Sequence, residues 1–167
     1  MTGRNPTDRS KLGTKRHILT DKRGIPLSVV ITSASTHDIK AVTRVIDNAV
    51  LNRPSLSFFP NNSRRKLYYQ HLCLDRAYSS KLVKHEIIKR GYVPHIPHKR
   101  KRGQVKEKTN QMQCDSGRNK RWVVERTNSW HNRFRKLLIR YEKKVENYLG
   151  LVQLSCIIII YRKIILG

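Results

Sequence analysis

The sequence has 167 residues, room for one domain with one core. Lysine and arginine number 36 against 11 acids, a formal charge of +25, and 38% of residues are hydrophobic. This excludes an integral membrane protein, a collagen and an acidic disordered chain, and so basic a chain points to a polyanionic partner, because neutralising phosphates releases condensed counterions.

The opening residues, MTGRNPTDRSK, carry no apolar signal core. Lys15 to Thr20 (KRHILT) reads as a short strand, Asp21-Lys22-Arg23-Gly24 as a polar connection ending in glycine, and Pro26 to Ser33 (PLSVVITS) as a second strand rich in β-branched residues. Together they predict a β-hairpin. Ser35-Thr36-His37-Asp38 reads as a helix start with a hydroxyl cap and an acid in the first turn. Apolar residues at Ile39, Val42, Val45, Ile46, Ala49 and Val50 then keep helical spacing. Pro54 and Pro60 bracket a loop. Leu67 to Leu74 (LYYQHLCL) is the next strand and ends at Asp75. A helix follows over Lys81 to Lys89, with Leu82, Val83, Ile87 and Ile88 near one face, and stops at Gly91. Tyr92 to Ile96 predicts a short strand.

Residues 98–120 are basic, polar and nearly free of large apolar side chains, and read as a basic loop. Within it Lys99, Arg100, Lys101 and Arg102 form the densest cationic run, a candidate contact to a DNA backbone. Arg121 to Tyr141 carries the longest helical pattern, and 145–165 reads as an apolar C-terminal packing helix with Ile157 to Ile160 in the core. Its greasiest stretch, Cys156 to Leu166, is broken by Arg162 and Lys163 and is too short for the ~18 residues of a membrane span. The three cysteines, Cys73, Cys114 and Cys156, lie far apart and fit reduced thiols in a cytoplasm. His71, His95 and His98 lack the companions that a zinc site needs. The order of elements predicts a mixed α/β layer fold.

Among so few acids, three stand out. Asp75 lies at the carboxyl end of an apolar strand, where a strand fixes a side chain and the adjoining loop leaves it reachable. An Asp that merely opens a loop and pairs with Arg76 fits the same position. Glu125 is read from helical geometry at roughly 100° per residue. Val123, Trp130, Phe134, Leu137, Leu138 and Tyr141 form one apolar stripe, and Glu125 points away from it. Its own face carries Arg121, Asn128, Ser129, Asn132 and Lys136. This is either an Arg121–Glu125 surface pair worth about 0.3–0.5 kcal/mol, or a metal-binding carboxylate flanked by phosphate-binding donors. Asp38 reads as a helix-start charge.

The stretches NPTDRSKLGTKRHILTDKRGIPL, LCLDRAYSS and RWVVERTNSWHNRFRKL closely resemble the catalytic domain of bacterial insertion-sequence transposases of the DDE type, of the insertion-sequence four/five group. The resemblance covers about Gly3 to Ile165. It implies a ribonuclease-H-like fold in which three carboxylates hold two Mg²⁺ ions. These activate water, and later a DNA 3′-OH, for attack on a phosphodiester at the element's ends. By the same resemblance Asp75 is the second acid, Glu125 the third, and Arg121 the basic residue of the signature around that glutamate. Asn132 stands where the signature has a lysine, leaving Arg133 or Lys136 to substitute. The first acid and its central strand are expected upstream of the GRNPTDRSKLG segment. The whole of 1–167 is then a partial catalytic domain, with little activity alone. It is either a relic or the downstream frame of a split gene whose upstream product supplies the missing strand. The implied setting is a bacterial cytoplasm, associated with the nucleoid, with DNA as partner, no membrane, and a homodimer for pairing the ends. The competing reading is a non-catalytic basic fragment that coats DNA.

Overall fold

The computed structural model describes residues 2–6, 9–50, 70–97 and 121–166. The chain divides into two compact units, one comprising Met1–Phe59 and Val123–Gly167, the other Pro60–Trp122. The loop between Pro54 and Pro60 and the basic loop at 98–120 lie outside the described residues, as do 67–69 of the predicted strand.

The first unit is built on a three-stranded antiparallel sheet in the order β1 (Gly3–Arg4), β2 (Leu12–Thr20), β3 (Pro26–Ser33). Strands β2 and β3 form the expected hairpin, registering Arg16 with Ile31 and His17 with Val30. The turn is fixed by its own side chain. Asp21 Oδ1 accepts from the backbone N–H of Arg23 and of Ile25, both at 2.8 Å, and Gly24 takes φ +85°. Positive φ favours glycine, which has no Cβ to collide with the backbone.

Helices cover both faces of this hairpin. On one face Val30 packs with Leu19 against Ala41 and Val45. These last two belong to a 3₁₀ turn (Asp38–Ala41) and helix α1 (Val42–Asp47). The cap differs from the expected hydroxyl: His37 accepts from the Ile39 N–H, because Ser35 is engaged with Ser33 Oγ at 2.7 Å. Asp38 sits in the first turn as read and forms an ion pair with Lys15 at 2.9 Å, while Lys15 also donates to the Thr36 carbonyl. Helix α1 stops at Asp47, so Val50 is exposed rather than part of the apolar face.

On the other face Ile31 packs with Leu137, Tyr148 and Val152, flanked by Val29 and Phe134. These come from helix α4 (Arg135–Leu138) and helix α5 (Val145–Ile164). Here the sequence expectation is corrected. The pattern from Arg121 to Tyr141 is not one helix; α3 (Arg121–Asn132) ends, and Phe134 takes an extended conformation before α4 begins. The longest helix among the described residues is α5. The break lets Leu137 enter the core beside Ile31, while Leu138 and Tyr141, expected on the same stripe, are exposed. On α5 the isoleucine run divides between faces: Ile159 is buried and Ile157 exposed. No helix among the described residues is long and apolar enough to cross a membrane.

The second unit is a β-α-β element. Strand β4 (Gln70–Cys73) pairs in parallel with β5 (Tyr92–His95), joined through helix α2 (Lys81–Lys89). Of the four apolar residues expected on one face of α2, Val83 and Ile87 are buried and Leu82 and Ile88 exposed. The helix ends where Gly91, at φ +74°, donates to the Ile88 carbonyl.

Gly24 permits close approach of the hairpin tip to α3. A Cβ there would lie 2.9 Å from Thr127 Oγ1, 3.0 Å from Arg126 Nη2 and 3.3 Å from Trp130. Gly24→Ala therefore combines backbone strain with a clash and is expected to lower stability by about 1–3 kcal/mol. A thermal melt against the unaltered chain measures it.

Candidate nucleic-acid interface and metal-ligating acids

Asp75 lies two residues beyond β4, at the carboxyl end of the parallel pair. It has an extended backbone and caps a 3₁₀ turn over Arg76–Tyr78. Its Oδ1 accepts from the Arg76 N–H at 2.6 Å, and its backbone carbonyl accepts from the Tyr78 N–H. The side chain is half-buried. Strand end and cap together hold the carboxylate in one orientation, as expected of an acid positioned by a rigid element. On the same strand pair, His71 Nδ1 meets His95 Nε2 at 2.7 Å.

Glu125 is on α3 and exposed, on the side away from the buried Val123, Thr127 and His131. What holds that helix was not legible in the apolar stripe. Thr127 Oγ1 donates to the Gly24 carbonyl at 2.7 Å and Arg126 Nη2 to the Arg23 carbonyl at 2.5 Å. Arg126 also lies over the Trp130 ring, as does Lys163 of α5, each at 5.0 Å. Both neighbours of Glu125's turn are thus pinned to the β2–β3 tip, and the acid is carried on a fixed platform.

The other candidates are distributed unevenly. Arg121 is the first residue of α3. Asn128 is half-buried on α3, and Arg133 is exposed just beyond its end. Lys136 is exposed but belongs to α4. The helix break therefore removes it from the continuous face shared with Glu125. Lys99, Arg100, Lys101 and Arg102 fall outside the described residues. Asn132, the last residue of α3, accepts through Oδ1 from Arg16 Nη2 of β2 at 2.6 Å. Nothing in the local sequence pairs these two.

A second feature missed by the apolar pattern is the polar clasp between α3 and α5. Ser155 Oγ donates to the Val152 carbonyl at 2.6 Å and so accepts from His131 Nδ1–H at 2.7 Å. The lone pair of His131 Nε2 then faces the Cys156 thiol at 3.8 Å. Burial, helped by the charge of Arg16, lowers the His131 pKa to about 4, and burial pushes the Cys156 thiol up to about 11.

The comparisons with known proteins give the family. Residues 2–160 match the family described as "Transposase DDE domain". The chain belongs to the DDE transposases. A relative from Burkholderia cepacia named "Putative transposase for insertion sequence element IS402" is 35% identical over 159 residues, spanning 95% of this chain and 67% of that protein. No solved structure matches. DDE transposases act on DNA and use divalent metal ions. Carboxylate oxygens are the hard donors such ions prefer, and Asp75 and Glu125 are carboxylates. Among the described residues no three His, Cys, Asp or Glu side chains converge as a complete metal site.

The His131 clasp makes transposase stability depend on pH. The folded-state pKa is depressed, so the unfolded chain binds the proton first as pH falls. The contribution is complete above pH 6.5 and fades as pH drops towards about 4. Denaturant melts over that range are expected to lose up to about 3 kcal/mol, a loss much reduced in His131→Gln.

Proposed function

We propose that the chain is the catalytic portion of an insertion-sequence transposase, of ribonuclease-H-like architecture, cutting and joining DNA at element ends. The observation that carries this reading is the contrast between two acids and their surroundings. Asp75 is held at the carboxyl end of a strand by its own cap, and Glu125 is carried, exposed, on a helix anchored from its other face.

In this reading Asp75 and Glu125 would hold divalent metal, Mg²⁺ by donor chemistry, with two ions in the complete site. When bound, the metal supplies Lewis acidity that activates a nucleophile and offsets charge on the scissile phosphate. The protein's own work is positioning. The Arg76 N–H orients the Asp75 carboxylate, and the Gly24–Thr127 contact keeps α3 from rolling Glu125 out of place. Arg121, Asn128 and Arg133 contribute donors to the phosphate backbone beside Glu125. Lys136 and the Lys99 to Arg102 run add charge to the same partner.

The net charge of +25 keeps a second reading in view, a basic fragment that only coats DNA. One experiment separates the two. In the transposase that carries this chain, Asp75→Asn or Glu125→Gln is expected to lower Mg²⁺-dependent nicking of element-end duplex by about a thousandfold, or roughly 4 kcal/mol. Duplex affinity stays within about threefold. Full nicking by either variant would remove that acid from the site, and absence of any metal-dependent nicking would favour the coating role.

A further inference from the structure

Strand β2 alternates its side chains between the two covered faces of the sheet. Lys15, His17 and Leu19 share the face of Val30, whereas Arg16 lies opposite Ile31 and shares its face. That face is the one packed with Leu137, Tyr148 and Val152. An aliphatic side chain would suit the position. Instead a guanidinium reaches to the end of α3, where Nη2 donates to Asn132 Oδ1 at 2.6 Å. Its Nη1 is buried with no hydrogen-bond partner, and its charge is felt by buried His131.

Leaving a charged donor buried and unpaired is unfavourable, so stability alone is a poor reason for an arginine here. The insertion has another effect. With one nitrogen held in the interior, the head group has little freedom, and its outer edge is presented together with the Asn132 amide in one geometry. Asn132 lies seven residues along α3 from Glu125, two turns on and roughly 10 Å away along the axis. Asn128 and Asn132 are neutral, so Arg16 adds a fixed positive charge at Asn132, beside that of the exposed Arg133.

We infer that Arg16 and Asn132 form a preorganised phosphate-binding pair that takes a DNA backbone phosphate flanking the one at Glu125. The inference rests on the functional reading above, in which the Glu125 face meets DNA. Arginine suits the task because Nη2 carries two hydrogens, one bonded to Asn132 and a second that a phosphate can take, while the buried Nη1 fixes the plane of the fork. The competing role is purely structural, a cation opposite the negative end of α3.

The test titrates the 167-residue chain with a duplex of about 30 base pairs over a range of salt. Arg16→Gln is expected to weaken binding about three- to tenfold and to make the slope of log affinity against log salt shallower by about 1. Adding Asn132→Lys to that variant returns a cation to the same place and restores both. A folded Arg16→Gln with unchanged affinity and slope overturns the inference. So does a lower melting temperature with the slope intact, the signature of a helix-end role. Asn132→Asp, at an exposed position, carries the test if Arg16→Gln does not fold: its carboxylate takes up the Arg16 charge and is expected to cut the slope likewise, and an unchanged slope overturns the pair. Salt-independent behaviour or no binding by the unaltered chain is a different failure, that of the DNA-facing reading itself.

Discussion

The hydrogen bond from Thr127 Oγ1 to the Gly24 carbonyl is the contact on which the candidate site depends. Thr127 is fully buried, and its hydroxyl also lies 3.1 Å from the Val123 carbonyl, one turn earlier in α3. It therefore reads both the phase of the helix and the position of the hairpin tip. The turn meets it only because Gly24 has no side chain and Asp21 has already gathered the Arg23 and Ile25 amides. Were the helix to roll by one residue, Thr127 would lose the carbonyl and Glu125 would turn by roughly 100°. The exposed Glu125 is thus placed by a buried hydroxyl two residues away.

The same sheet shows how a strongly basic chain folds around its own charge. Because both faces of the β2–β3 hairpin are covered, successive cations of β2 are inserted on opposite sides. Lys15 is met by Asp38 and the Thr36 carbonyl, and Arg16 by the Asn132 amide oxygen. Arg140 solves the problem a third way, donating to the Glu142 carbonyl and to Thr14 Oγ1 while stacking over Tyr148 at 5.1 Å. Backbone carbonyls and neutral amides take up charge that few acids are present to balance. Cations left on the surface remain available to a polyanion.

Much of the architecture was legible in the residues. The β-branched run bounded by Pro26 and Ser33 is β3 at both ends, and Lys81–Lys89 is α2 with its glycine stop. Asp75 follows a strand, as read, and Glu125 does lie away from the buried side of α3. The helix pattern failed beyond Asn132 because no proline or glycine marks the break; the chain turns at Phe134 so that Leu137 can fill space beside Ile31. Periodicity also assumes that buried means apolar. Thr127, His131 and Ser155 are among the most buried residues described, and each is there because a specific partner satisfies it.

The sequence by itself determined the family, the charge that suits a nucleic-acid partner, most strand and helix limits, and the identity of two acids worth testing. Those properties follow from local patterning and from ordered motifs along the chain. Only the tertiary structure decided which polar residues enter the interior and which cation stands beside Asn132. The deciding hydrogen bonds join residues 103 and 116 positions apart, Gly24 to Thr127 and Arg16 to Asn132. Their partners are chosen by packing on a sheet covered on both faces, a constraint that no window of sequence contains.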